Sequence, residues 1–296
     1  MHNYLRSIGF TLYKKEKDID NLLEEFRRRY MDAAEAYLTD YGEVRFEIRA
    51  CVAGNMGICI VGTVGDDGVF RREYYYPYIW TDDLSTTVQA AIQRHVDDEC
   101  YSGLCDDTRV GITLIFRVDN PIPYIEMTRK GKVGHTKAFL GALSTEGKVL
   151  LPVEKTAKQV EMAKIAGKKR DALIEAARGG DQSAMETLSR DDMNLFSVVS
   201  RRMQREDIYS IVDTCFLPQG VECDVYSVVA DILAVNEVRN QITAEVVYDL
   251  TLCCNDIVFH CGINKADLLG EPKKGRRFKG KIWMQGRVFY DDIRDM

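Results

Sequence analysis

Six cations stand in nine residues, with no acid among them, in the run Lys273-Lys274-Gly275-Arg276-Arg277-Phe278-Lys279-Gly280-Lys281. Cations neutralise phosphates, glycines let a backbone approach a ligand closely, and an aromatic ring can stack on a base. Trp283 follows two residues later. The segment continues as a strand, whose side chains alternate between faces. Phe278, Gly280, Ile282 and Met284 then share one face, and Arg277, Lys279, Lys281 and Trp283 share the other. The cations and the indole are thereby placed together, away from a core. Three readings follow. In one, Lys273, Lys274, Arg276, Arg277, Lys279 and Lys281 charge a site for an anionic ligand or nucleic acid, with Trp283 as its stacking surface. In another, the hairpin is solvated and its lysines discourage pairing with a foreign strand. The third is a contact with a protein partner.

Other groups with chemical potential are more scattered. Asn264-Lys265-Ala266-Asp267 follows the apolar run Ile257–Ile263, an order seen in guanine recognition. The Gly-x4-Gly-Lys-[Ser/Thr] loop that cradles phosphates is missing, so these four residues read as a turn leaving a strand. His95, Asp97, Asp98, Glu99, Cys100, Cys105, Asp106 and Asp107 are the densest set of metal-ligand types. Their spacing is not that of a zinc finger, and a hydrated helix end and loop accounts for the acids. No metal or cofactor is assigned. Tyr74, Tyr75, Tyr76, Tyr78 and Trp80 suit either a packed strand or an aromatic groove, with Pro77 at an edge. The four histidines lie in different settings, and no Ser-His-Asp, Cys-His, His-Glu-x-x-His or Gly-x-Ser-x-Gly pattern is present. His135 and His260 remain acid–base candidates, because catalytic partners assemble in space. His260, inside an apolar strand, equally suits a hydrogen-bonded core position. No catalytic set is assigned.

The elements that must position these groups can be read from periodicity. Ile19, Leu22, Leu23, Phe26, Tyr30, Ala33 and Tyr37 predict a helix over 16–40, ended near Gly42. Runs at 44–52, 58–64 and 69–80, separated by glycine turns, predict a meander. Leu84, Val88, Ala91, Ile92 and His95 predict a helix over 84–97, and strands are expected near 110–118, 122–128 and 137–143. A capping box at Thr156–Gln159 opens a helix to Gly179-Gly180. Asp181 caps a short next helix, and a second box at Ser189–Asp192 opens a helix to about 205. Five strands follow, at 208–217, 225–235, 242–253, 257–263 and 278–290, which suggest a curled sheet or small barrel, an OB-like one among the options. The expected fold class is α+β, divided as an α+β domain over 1–153, a helical bridge over 154–206 and a β-rich domain over 207–296.

At 296 residues the chain exceeds a usual single core, and 46% hydrophobic with 29% charged residues is ordinary for a globular protein. A net charge of −6 speaks against a surface that is basic throughout and leaves room for a local patch. Nine cysteines, an odd number scattered through apolar strands, predict reduced thiols without a disulfide framework. With no long apolar run and no signal-peptide pattern, the expected location is cytoplasmic, without a membrane partner.

Tyr4-Leu-Arg-Ser-Ile-Gly-Phe10 and Gly270-Glu-Pro-x-x-Gly-Arg-Arg-Phe-Lys-Gly-x-Ile-Trp-Met-Gln-Gly286 resemble the opening and closing of an uncharacterised family of clostridial-type Firmicutes proteins, over the whole chain. The resemblance implies a bacterial cytoplasmic protein of no assigned activity, and it carries over no functional residues. The favoured expectation is a binding or regulatory protein that engages an anionic, phosphate-containing ligand. The alternatives are a protein–protein interaction or assembly module, including a homo-oligomer, and an enzyme with a site between two β-rich domains.

Overall fold

Ile19, Leu22, Leu23 and Phe26 recur at intervals of three and four, and they are the buried stripe of helix α1, Glu16–Tyr30. The computed structural model describes residues 3–39, 42–81, 85–94, 100–106, 112–131, 136–152, 157–203, 213–220 and 223–290. A 3-10 helix at Asn3–Ile8 precedes α1 and buries Leu5 and Ile8. The periodicity that predicts a helix to residue 40 runs on through Ala33 and Tyr37, but the helix stops at Tyr30. After a 3-10 turn at Met31–Ala33 the chain enters β1, Glu35–Leu38, where Tyr37 is the buried residue. β1 pairs with β2, Val44–Ala53, and β3, Met56–Val64, and β4, Phe70–Ile79, complete the predicted meander as a four-stranded antiparallel sheet.

Two predicted elements change type. The described part of the predicted helix over 84–97 is a strand instead: in β5, Thr87–Arg94, Val88, Ala90 and Ile92 turn inward at every second position. That period-two pattern competes with the helical one in the same residues, and pairing with a neighbouring strand decides between them. After β6, Tyr101–Asp106, and β7, Thr113–Val118, the predicted strand at 122–128 is helix α2, Ile122–Arg129. Pro121 is its N-cap and Pro123 lies in its first turn, where the missing N–H is harmless; within a strand it would break a ladder. β8 is long, Thr136–Leu150.

Helices α3, Ala157–Arg178, and α4, Gln182–Met203, form an antiparallel pair in the stretch read as a bridge. Asp181 caps α4, with its Oδ1 accepting from the Ser183 and Ala184 amides at 2.9 and 3.2 Å. The helix then runs unbroken through Ser189, because three good helix formers, Met185, Glu186 and Leu188, carry it past the second predicted box. The remaining strands are β9, Cys215–Pro218; β10, Val225–Arg239; β11, Val246–Cys254; β12, Ile257–Asn264; β13, Leu268–Leu269; and β14, Arg277–Phe289. Asn255 and Asp256, both at positive φ, make the two-residue turn that fixes the β11–β12 register.

Among the described residues, β5 to β14 form one mixed ten-stranded sheet, with strands from both sides of the helical pair. Its spine is the antiparallel ribbon β8–β14. Toward one end the ribbon closes a ring through β5, β6 and β7, and toward the other it closes a second ring through β12, β11 and β10. The fold is α+β, with two five-stranded rings sharing one wall. Ala138, Leu140, Phe278, Ile282, Met284 and Val288 of that wall belong to a continuous core filling both rings. A second core joins α1, the N-terminal 3-10 helix and the small sheet to Leu143, Val247 and Trp283 on the outside of the rings.

Phe116, fully buried, shows how tightly the first ring is filled. A Cβ on Gly103 would stand 2.1 Å from its ring, and one on Gly286 would stand 2.3 Å away. Gly286→Ala is expected to cost about 2 kcal/mol through overpacking, read as a lower urea midpoint at unchanged slope. A midpoint equal to that of the native chain would show the ring looser than this geometry. All nine cysteines are free thiols. No helix of the described residues is long and apolar enough to cross a membrane.

Candidate functional site

Cross-strand register decides which cations meet. Lys279 of β14 lies opposite Lys148 of β8, and Lys281 lies opposite Glu146. On the other side of β14, Lys281 faces Ser227 of β10, which faces Leu217 of β9. Directly paired residues share a face, so these side chains form a ladder across four strands, each about 4.8 Å from the next. A cavity of about 340 Å³ opens on the ladder, lined by Lys148, Lys279, Lys281, Glu146, Ser227, Gln219 and Leu269, with Gly147 and Gly280 exposing backbone. Among the described residues, three lysines and one carboxylate line it. Lys281 and Glu146, though opposed, form no ion pair with each other.

The other predicted site residues lie elsewhere. Lys273 pairs with Glu271 at 2.9 Å, and Arg276 donates to the Glu271 carbonyl at 2.8 Å, so both are engaged in the turn before β14. Lys274 is exposed beside them. Arg277 is buried and donates to the carbonyls of Leu151 and Asp213 at 3.0 and 3.3 Å. Trp283 is on the predicted face, but that face is covered. Its Nε1 donates to Asp224 at 2.7 Å and its ring packs 5.2 Å from Tyr4 within the second core. Phe278 fills the ring interior. The exposed ladder therefore combines ammonium groups with aliphatic carbon, Leu217 and Leu269 being 56% and 74% exposed.

A second polar cluster was not anticipated. Arg45, Glu47, Arg49 and Cys51 alternate along β2, and Tyr74, Tyr76 and Tyr78 along β4. This face lies against β7 and the residue after it. Arg49 donates to the Asp119 backbone carbonyl, as does the Tyr76 hydroxyl at 3.0 Å. Arg49 also pairs with buried Glu47 at 2.9 Å, and the Arg117 guanidinium stacks 4.4 Å from the Tyr76 ring centroid. Neither Asp119 carboxylate oxygen has a hydrogen-bond partner, and the residue is 1% exposed. Burial pushes its pKa up to about 6 against the pull of Arg49 and Arg287. The available signal was charge at every second position of an otherwise apolar strand, beside every-second-position tyrosines.

His260, whose Nδ1 lies 2.9 Å from Asp249 Oδ1, is buried together with that carboxylate on the outside of the second ring. Register places His260 beside Gly141, whose missing side chain makes room for Thr81. His135 and most of the 95–107 set lie outside the described residues. Of that set, Cys105 is in the core and the Asp106 carboxylate accepts from the Thr113 hydroxyl. Asn264 caps the 3-10 turn Lys265–Asp267, and Asp267 accepts from Arg6 Nε at 2.7 Å, a structural role for the four-residue motif.

An α+β protein of two fused rings, with a lysine ladder on its outer wall, is the class these observations define. The chain belongs to the DUF3881 family, described as a domain of unknown function from an E. rectale gene, which matches residues 5–286. That description points to a bacterial family. No curated protein and no solved structure matches the chain.

Proposed function

We propose that this is a cytoplasmic binding or regulatory protein that engages an anionic, phosphate-containing ligand at the Lys148–Lys279–Lys281 ladder. The observation that carries the reading is the convergence of three lysines from two paired strands on one 340 Å³ cavity whose lining, among the described residues, holds a single acid. Long lysine stems approach from several positions over the Gly147 and Gly280 backbone, while the missing side chains of these glycines make room for Phe278 on the core side. Ser227 and Gln219 add hydroxyl and amide hydrogen bonds. With Trp283 and Phe278 packed inside, the chemistry favours a phosphate or polyphosphate group over a stacked base.

The test is titration calorimetry with pyrophosphate at several salt concentrations. Charge-assisted hydrogen bonds contribute about 1.5 kcal/mol each, so removing both Lys279 and Lys281 as alanines is expected to weaken binding roughly a hundredfold and flatten its salt dependence. Lys273→Ala and Arg276→Ala, which alter the turn alone, are expected to leave affinity within about twofold. Pyrophosphate affinity that is unchanged in the double variant would falsify the assignment.

A further inference from the structure

The lysine ladder has a neighbour. On the other side of Glu146 lies a second cavity, of about 460 Å³, bounded by Asn3, Thr11, Tyr13, Lys14 and Thr145. Glu146 lines both. The boundary is built by an irregularity in the ribbon. Lys281 faces Glu146 while Ile282 faces Ser144, so Thr145 is the extra residue of a β-bulge. Bulges redirect a side chain out of the alternation. This one is held from beneath by the buried Ser144 hydroxyl, 2.9 Å from the Glu146 carbonyl and 2.8 Å from the Lys281 carbonyl. It turns Thr145 toward the larger cavity and leaves Glu146 standing between the two.

The two cavities differ in chemistry. Arg6, at the edge of the larger one, is already paired with Asp267, which leaves Lys14 as its uncompensated cation. Glu146 is the acid in its lining, and the remaining polar side chains, Asn3, Thr11, Tyr13 and Thr145, are neutral. Among the described residues, the side chains of Asn3, Tyr13, Thr145 and Glu146 make no hydrogen bond within the protein, so an amide, two hydroxyls and a carboxylate face the cavity with bonds to offer. Tyr13 is half-buried and held edge-on against Phe10 at 5.0 Å, which fixes a flat ring in the wall. A carboxylate flanked by hydroxyls and an amide accepts from and donates to a polyol, and a fixed ring covers its C–H face. The same carboxylate repels a second phosphate.

We propose that the two cavities form one bipartite site for a phosphorylated polyhydroxy compound, with the phosphate on the lysine ladder and the hydroxylated part beyond Glu146, against Thr145 and Tyr13. This rests on the anion-site reading and adds the class of ligand to it. The test compares inorganic phosphate, ribose and ribose 5-phosphate at matched ionic strength on the full chain. Ribose 5-phosphate is expected to bind at least tenfold tighter than phosphate. Thr145→Val and Tyr13→Phe, which remove hydroxyls while keeping shape, are expected to cut that margin to under threefold with phosphate affinity unchanged. Saturation-transfer spectra of the native chain, which need no variant to fold, are expected to show the sugar protons in contact. Equal affinity for phosphate and ribose 5-phosphate overturns the bipartite site and leaves the anion site standing. A margin that survives both hydroxyl deletions overturns it as well. If no phosphate compound binds at all, both readings fall together.

Discussion

Gln285→Leu is expected to lower the stability of the chain by about 4 kcal/mol, far more than its near-constant volume suggests. Gln285 is 1% exposed, and its side chain joins the small sheet to the ring wall. Its Nε2 donates to the Pro77 carbonyl at 2.9 Å, and its Oε1 accepts from the Ile79 amide at 3.0 Å. These are groups at the end of β4, on the last strand of the small sheet. Leucine would strand both in a place that water does not reach, and each orphaned backbone group costs about 2 kcal/mol. For a chain of this size the loss corresponds to a fall of roughly 8 °C in unfolding temperature. Gln285→Glu supplies a check on the cause. A carboxylate keeps the bond from Ile79 and repels the Pro77 carbonyl, whereas its protonated form can donate again, so this variant should recover stability as pH falls. A leucine variant within 1 kcal/mol of the native chain would show that the sheets are held by apolar packing alone.

The ladder and the joint differ in how far the sequence announces them. Alternation along β14 places Lys279 and Lys281 on one face with Trp283, and the strand keeps that alternation. What alternation does not report is what covers a face. The outer side of β14 is open at Lys281 and closed at Trp283, two residues on, because Tyr4 and the N-terminal 3-10 helix lie over the indole. Lys148 and Ser227 were invisible as members of the site, since their place beside Lys279 and Lys281 comes from registers spanning more than fifty residues of chain. The closure of the rings was hidden for the same reason. The five C-terminal strands suggest a small barrel, but the strand that completes their ring is β8, while β9 lies outside it. Local ambiguity explains the two elements of changed type: 87–94 satisfies both a helical and a strand period, and the prolines at 121 and 123 suit a helix start more than a strand.

The Arg45-x-Glu47-x-Arg49 pattern is present in the sequence but does not by itself say which side of the strand is covered. Charge at every second position ordinarily marks the wet side of a sheet. Here that side is buried against β7, so on this face the small sheet and the rings meet through hydrogen bonds to the Asp119 carbonyl, guanidinium–tyrosine stacking and the Gln285 clamp. Such a joint depends on direction and protonation in a way that an apolar one does not.

Asp119 makes that dependence measurable. Its carboxyl lies in the joint without a hydrogen bond, facing Glu47 and Arg49 from β2, Arg117 from β7 and Arg287 from β14. Burial raises its pKa from 3.8 to about 6, so the folded chain holds the proton more tightly than the unfolded chain does. Below about pH 3 the group is protonated in both states and its contribution to stability is whole. As pH rises toward 6 the unfolded chain ionises first, and the folded state loses stability at about 1.4 kcal/mol per pH unit, or about 3 kcal/mol in all. Above about pH 7 the loss is complete and stays constant. Asp119→Asn keeps the shape and cannot ionise. Its stability minus that of the native chain is therefore expected to climb by about 3 kcal/mol between pH 3 and pH 7 and then level off. Taking the difference cancels the carboxylates outside the joint, whose titration is common to both chains. A difference that is flat across this range would mean that the surrounding arginines hold Asp119 ionised throughout, and the joint would then be a plain ion-pair network with no proton to give up.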